Sequence, residues 1–280
     1  MNILNNKIPL IFSISTILVV AIIVFFPFNS QSGVITIILS VATFLFGIFV
    51  AFSINDRNKR KEKIRENDSH ERSNLVNIYG LSKVLGKKWA EKIRKKIDEY
   101  LMATLDYKIW DFYKTGKEFS ALFDLIMPIK VKNKPQLEEM IERLEDIRLS
   151  RGETAEIINE RLSRFEWVIA IFLCLVTLVC LILINPGTLI SIVLLSGLSI
   201  AVIFSVYFLY SLDNLSWKEE TIIFEPYAQT FESVGLLRYY PEDLIISGKV
   251  KKHTGKKYRI GIFPKPYPDF SGKKIKIIKG

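Results

Sequence analysis

Charged side chains are absent from two long stretches of this sequence. No Asp, Glu, Lys or Arg occurs in the 48 residues from 8 to 55, or in the 46 residues from 167 to 212. One membrane-spanning helix needs about 20 apolar residues, so each stretch is long enough for two spans and a short turn. Fully buried soluble helices are the alternative, but they rarely form uncharged runs of this length. We therefore predict an all-α membrane protein with four transmembrane helices in two hairpins.

Cysteine and histidine are also scarce. Cys174 and Cys180 both fall within the third predicted span, six residues apart, so they lie on different faces of one helix and cannot form a disulfide with each other. We interpret both as small apolar side chains. His70 and His253 are the only histidines, which excludes a His/Cys metal cluster. We expect no metal and no cofactor.

Lysine and arginine at the ends of the spans predict the orientation. Residues 57–65 are basic and follow the second span, and Arg161, Arg164 and Lys218 flank the other two, whereas both hairpin turns are uncharged. The positive-inside rule therefore puts both termini and the central region in the cytoplasm. The predicted divisions are a transmembrane hairpin (1–55), a cytosolic helical region (56–164), a second transmembrane hairpin (165–212) and a cytosolic C-terminal region with a basic tail (213–280).

Apolar residues in the central region recur at helical spacing. They form two stripes, Trp89, Ile93, Ile97, Leu101, Leu105 and Ile109, and then Leu137, Met140, Ile141, Leu144 and Ile147. Gly86, Gly116 and the segment 128–135 are the expected breaks in this helical bundle. No breaker separates Arg161 from Trp167, so we expect the last cytosolic helix to run straight into the third span. The C-terminal region is expected to be small and mixed or irregular, with a hairpin near 256–262.

Residues that would support catalysis are missing. The stretch 80–88 has five residues between its glycines, where a phosphate loop has four, and a lysine where that loop has Ser or Thr. His70 lacks the second histidine of a zinc protease motif. No ionisable residue lies in any predicted span, which argues against a transporter-type proton relay. We predict that the protein is not an enzyme.

The second predicted span carries one distinctive face. Its members follow a 4-3-4-3 spacing and are Ser40, Phe44, Gly47, Ala51 and Ile54. Around an oligomeric axis, such a face lines a narrow pore whose hydrophobic constrictions gate by dewetting. The alternative is that its small residues form packing seams within one protomer.

Three cations continue along this helix at intervals of four residues, Arg57, Lys61 and Arg65. A ring of such cations raises the local concentration of anions, as expected at the inner mouth of an anion pore. The alternative is that they only satisfy the topology rule and bind lipid head groups.

The net charge of +10 is concentrated at the C-terminus. Residues 249–280 contain eleven Lys or Arg and a single acid. The cations expected to contact lipid are Lys249, Lys251, Lys252, Lys256, Lys257 and Arg259. Near an anionic membrane surface each contributes about 1 kcal/mol of attraction. No nucleic-acid-binding motif accompanies them, so we favour membrane lipids as the partner.

The layout of two spans, a helical insert of about 110 residues, two more spans and a tail resembles the bestrophin-like membrane proteins of prokaryotes. These are relatives of the bestrophin anion channels. The resemblance covers roughly residues 33–245 and involves residues 51–57 (AFSINDR), Arg148 and Arg151, and residues 212–215 (LDNL).

The resemblance implies a homo-oligomer, pentameric in bestrophins, with the second span around the axis. It puts an aromatic constriction near Phe44, and Phe46 or Phe49 are the other candidates. The sequence lacks the acidic cluster that would form a calcium clasp after the fourth span, and it has residues 215–220 (LSWKEE) in place of an Asn-Pro-Phe-like segment. Calcium gating is therefore not expected.

Two functions remain. The first is an oligomeric channel for inorganic anions with its pore along the second span. The second is a non-conducting membrane scaffold or sensor that recruits partners or anionic lipid through its helical bundle and basic tail.

Overall fold

Helices form most of the structure. The computed structural model describes residues 2–30, 32–129, 134–215, 224–248 and 257–279. Its elements are α1 (Asn2–Phe25), α2 (Gly33–Val84), α3 (Lys87–Asp106), a 3-10 helix (Ile109–Thr115), α4 (Gly116–Ile126), α5 (Lys134–Asn159), α6 (Arg164–Leu183), α7 (Leu189–Asp213), α8 (Phe224–Ser233), β1 (Tyr239–Pro241), α9 (Glu242–Ile246), β2 (Lys257–Ile262) and β3 (Lys274–Lys279).

These elements form two compact units. The apolar unit comprises Met1–Lys61 and Arg161–Leu215, and the polar unit comprises Glu62–Glu160 and Ser216–Gly280. By length and composition, the described residues of α2, α6 and α7 are apolar enough to cross a membrane, and Pro9–Phe25 of α1 is a shorter apolar helix.

The helix α2 is continuous over 52 residues. The prediction that its apolar part runs unbroken into a basic helix is confirmed. The segment from 48 to 79 contains no Gly or Pro, the residues that most often interrupt a helix. The helix ends shortly before Gly86, whose φ of 111° is open to glycine but rarely to other residues. The expected break at this glycine is therefore confirmed.

The prediction of an unbroken helix into the third span is wrong. The helix α5 ends at Asn159 and α6 begins at Arg164. Ser163 Oγ accepts the Glu166 N–H at 3.2 Å, and the Glu166 carboxylate accepts the Ser163 N–H at 2.7 Å. This reciprocal capping box satisfies backbone N–H groups that have no partner within the first turn of a helix. The chain can therefore start α6 here without Gly or Pro.

Within the apolar unit, α1 and α6 both pack against α7. Phe46 and Val50 of α2 join a buried cluster with Cys174 and Leu178 of α6 and with residues of α7. Both cysteines are free and buried, as predicted.

The two uncharged turns of the apolar unit are bonded to each other. The buried Asn185 side chain donates to the Ile23 carbonyl at 2.6 Å, and the Asn185 carbonyl accepts the Asn29 N–H at 2.9 Å. These bonds satisfy polar groups at the end of α1 that lipid cannot hydrate.

The described residues of the polar unit share a large core. Both predicted apolar stripes contribute to it, from α3 and α5, and so do α8, β1 and β2. The strand order is β1-β2-β3, with β2 parallel to β1 and antiparallel to β3. The C-terminal region is thus mixed, as expected, and its hairpin is formed by β2 and β3.

Gly261 of β2 lies directly against the ring of Tyr239. A Cβ at Gly261 would lie 1.9 Å from the Tyr239 hydroxyl oxygen. Tyr239 is fully buried and its hydroxyl donates to Asp106 at 2.6 Å, so the ring cannot move aside without losing that bond. Glycine is therefore required at this position by space rather than by backbone conformation.

We predict that Gly261→Ala destabilises the polar unit by about 3 kcal/mol, as overpacking in a core does. Gly152→Ala is the matched control, because a Cβ there meets nothing within 4 Å and alanine favours the helix by about 1 kcal/mol. Thermal unfolding of the purified protein measures both. Equal melting temperatures for the two variants would contradict the packing argument.

Candidate functional site

The predicted pore-lining face of α2 is mostly exposed in the protomer. Ser40, Phe44, Gly47 and Ala51 are exposed, and the Phe44 side chain is 66% accessible. Ile54 is partly buried against the apolar cluster of the unit. Most of this face is therefore not used for packing within one chain.

The other two candidate aromatic residues lie differently from Phe44. Phe46 is 5% exposed and packs in the cluster with α6 and α7, and Phe49 is partly buried beside it. Of the three phenylalanines named for a constriction, Phe44 alone has an exposed side chain.

The apolar part of α2 is the least buried of the three candidate spans. Its most apolar 18-residue window is 17% buried, compared with 33% for α6 and 28% for α7. An apolar helix surface that is exposed over this length needs lipid or another protein surface to cover it.

At the end of its apolar part, α2 carries a buried arginine. The Arg57 side chain is 10% exposed, and its guanidinium pairs with the carboxylate of Asp213 at 3.5 Å and with that of Asp56. The Asp213 side chain is 4% exposed, whereas that of Asp56 is 63% exposed. Asp213 is thus the buried partner of this arginine.

Asp213 also binds two further groups of the apolar unit. Its carboxylate accepts the Leu162 N–H at 2.9 Å, and its backbone carbonyl accepts a hydrogen bond from Arg60 at 2.9 Å. One residue at the end of α7 therefore holds α2 and the segment that precedes α6.

The three cations predicted for an anion-attracting mouth differ in exposure. Arg57 is buried, Lys61 is partly buried and Arg65 is exposed. Because two carboxylates compensate the charge of Arg57, this residue contributes less to an anion-attracting potential than its position in the sequence indicates.

The polar unit contains a buried network of ionisable side chains that was not predicted from the sequence. The Tyr100 hydroxyl donates to the Glu71 carboxyl and accepts from Arg151, which also donates to Thr115 at 3.0 Å. The guanidinium of Arg151 lies over the ring of Phe112 at 4.6 Å. The tyrosine hydroxyl therefore bridges a buried acid and a buried cation.

Burial raises the pKa of Glu71 to about 7, although the charge of Arg151 and the bond from Tyr100 act in the opposite direction. Burial also raises the pKa of Tyr100 well above its usual range. Glu71, Asp68 and Thr104 line a cavity of about 50 Å³, which is large enough for water. Among the described residues, no three His, Cys, Asp or Glu side chains are grouped to hold a metal ion.

A periodic signal for Glu71 was present in the sequence. Ile64, Leu75 and Ile78 are buried on α2, and extending that helical face through 67, 71 and 74 puts Glu71 at a core position. The signal was missed because these three positions are polar.

Only part of the predicted lipid-contact set falls within the described residues. Lys249, Lys251, Lys252 and Lys256 lie outside them. Lys257 is exposed. Arg259 forms a two-pronged ion pair with Asp98, at 2.7 Å for each bond, and donates to the Leu237 carbonyl. Lipid contact at Arg259 would have to compete with these bonds.

The long apolar helices are those of a membrane protein. A family model described as the bestrophin-like domain matches residues 8–215. The chain therefore belongs to the bestrophin-like family, as the resemblance in the sequence predicted. Neither the curated proteins nor the solved structures include a significant match to this chain. The family match ends at Leu215, so α8, β1 and β2 lie outside it although they contribute to the core of the polar unit.

We predict that Asp213→Asn destabilises the protein by about 3 kcal/mol, because it leaves Arg57 buried without its buried partner. Asp56→Asn removes the exposed carboxylate from the same arginine and should cost less than about 1 kcal/mol. Thermal unfolding in detergent compares the two. A larger loss for Asp56→Asn would show that the exposed carboxylate is the important partner.

The raised pKa of Glu71 predicts a pH-dependent stability. The unfolded chain releases this proton near pH 4.5 and the folded chain near pH 7, so stability falls as pH rises through that range and is level above it. Glu71→Gln removes this contribution, which is roughly 3 kcal/mol for a shift of this size.

The measurement is the difference in melting temperature between Glu71→Gln and the wild type from pH 5 to pH 8. The difference should grow in favour of the variant as pH rises. Glu66→Gln, at an exposed site on the same helix, serves as the control and should follow the wild type. A parallel pH profile for Glu71→Gln would refute the assignment.

Proposed function

We propose that the protein is a homo-oligomeric membrane channel for inorganic anions, with the pore along α2. The observation that carries this proposal is the exposed face of Ser40, Phe44, Gly47 and Ala51 on the least buried candidate span. A face of hydroxyl, small and aromatic residues suits a narrow path with a hydrophobic constriction. Membership of the bestrophin-like family supports the same function.

The proposed topology has four spans, α1, the apolar part of α2, α6 and α7, with both termini in the cytoplasm. It is supported by the uncharged turns at one end of the helices and, at the other end, by the cations that follow the apolar part of α2 and those near the start of α6. The basic tail is then on the side of the inner leaflet, where contact with anionic lipid is expected.

An oligomer is proposed because α2 exposes apolar surface that copies of the chain would cover around an axis. A pentamer is the state that the family resemblance favours. Phe44 is the proposed constriction, and Ile54, which is partly buried, is at the inner end of the path.

Lys61 and Arg65 are the more accessible cations of the proposed inner mouth, because Arg57 is buried. Cations near a low-dielectric opening raise the local concentration of anions. Arg57, whose charge is compensated by Asp56 and Asp213, is proposed to hold the end of the apolar part of α2 in place beside this mouth.

We predict that purified protein in chloride-loaded liposomes releases chloride faster than empty liposomes, and that Phe44→Ala increases the release severalfold by removing a hydrophobic barrier. Phe52→Ala is the matched control, because Phe52 is 71% exposed on the same span but lies off the predicted pore face. The mass in detergent should be a multiple of the protomer mass of 32.3 kDa.

Two results would contradict the channel. One is chloride release no faster than from empty liposomes, together with a monomeric mass. It would favour the alternative function, a non-conducting scaffold or sensor. The other is an equal increase in chloride release with Phe44→Ala and Phe52→Ala, because it would mean that the pore does not follow the predicted face.

A further inference from the structure

A groove of about 750 Å³ opens on the apolar unit between α1, α6 and α7. Its volume is within the range of small-ligand sites. Most of its wall is apolar, and includes Leu18 of α1 and Leu175 and Leu178 of α6. No part of α2 lines it, so the groove is separate from the proposed pore face.

The groove is about one membrane leaflet deep. It is lined from Trp167 to Leu178 of α6, and over these residues the helix rises about 16 Å. Half of the hydrocarbon core of a bilayer is about 15 Å. The apolar part therefore has the length that one leaflet offers to an acyl chain.

The end of the groove beside Trp167 is polar. Arg161, Tyr210 and Asn214 line it together with Trp167, and the Trp167 and Tyr210 rings lie 6.3 Å apart. Tryptophan and tyrosine favour the level of the lipid head groups. The groove thus runs from a head-group zone into hydrocarbon.

An exposed positive charge lies at this end. Arg161 is exposed, donates to the Asn214 side chain at 3.5 Å and forms no ion pair with any residue of the described ranges. Asp213 also lines the groove, but its carboxylate is bound by Arg57 and by the Leu162 N–H. A guanidinium at a head-group level attracts phosphate.

We propose that this groove binds an anionic phospholipid, with one acyl chain along α6 and the phosphate at Arg161. The apolar length, the aromatic pair at the head-group level and the exposed Arg161 each match one part of such a lipid. The inference depends on the proposed membrane orientation and not on anion conduction, so an absence of chloride flux would leave it standing.

The test is native mass spectrometry of the purified full chain titrated with dioleoyl phosphatidylglycerol or with dioleoyl phosphatidylcholine. The wild type should bind phosphatidylglycerol, which is anionic, more tightly than phosphatidylcholine. Arg161→Gln should weaken that binding about tenfold, the size of one lost charge-assisted contact. Arg161→Lys should keep most of it. Arg164→Gln is the control, since Arg164 is exposed three residues further on but does not line the groove.

A second pair of variants tests the acyl-chain part. Ser15 lines the groove and Ser13 does not, and each hydroxyl donates to the carbonyl four residues before it. Ser15→Trp should fill the groove and displace both lipids, whereas Ser13→Trp should retain them.

Three results would overturn the proposal. The first is equal weakening by Arg161→Gln and Arg164→Gln, which indicates diffuse charge attraction. The second is lipid retention by Ser15→Trp equal to that of Ser13→Trp. The third is a change of oligomer mass in Ser15→Trp alone, which identifies the groove as a contact between copies of the chain.

Discussion

The buried carboxylate of Asp213 is the constraint on which the apolar unit depends. A charge that is 4% exposed must be paired and hydrogen-bonded, because its desolvation costs several kcal/mol. One partner of Asp213 is Arg57 of α2, and another is the N–H of Leu162, in the segment that leads into α6. The end of α7 therefore cannot form without fixing the end of the apolar part of α2 and the start of α6 at the same level. In lipid this matters more than in water, since no solvent replaces a lost partner.

The polar unit also contains a buried acid, Glu71, but its partners are different. Glu71 has one hydrogen-bond donor among the described residues, the Tyr100 hydroxyl, and Arg151 acts on it through that hydroxyl. Because few partners stabilise the carboxylate, burial favours the protonated form of Glu71. Burial therefore raises the pKa of Glu71 to about 7. The two buried acids thus differ in their partners: Asp213 receives a guanidinium and an N–H directly, whereas the guanidinium of Arg151 is joined to Glu71 through the Tyr100 hydroxyl.

Periodicity in the sequence was enough to predict the elements that apolar residues define. The apolar helices, the stripes of α3 and α5 and the break at Gly86 all follow from the spacing of apolar residues and glycines. The break expected at Gly116 is not found, because the 3-10 helix passes there directly into α4. Polar residues with structural roles were harder to predict. The capping box at Ser163 begins a new helix where no Gly or Pro predicts a break, and Glu71 occupies a core position where periodicity predicts an apolar residue. Arg57 and Asp213 are 156 positions apart in the sequence. Local sequence patterns do not predict a contact between residues so far apart in the chain.

The buried face of α2 and the groove share one layer of side chains. Cys174, Leu178, Ile203 and Val206 line the groove and also belong to the cluster that contains Phe46 and Val50 of α2. Packed interiors have few voids, so a change of volume on one side of such a layer is felt on the other. An acyl chain in the groove would support the layer against which α2 rests, and an empty groove would leave it free to relax. The position of the proposed pore helix and the occupancy of the proposed lipid site are therefore linked by the packing of α6 and α7.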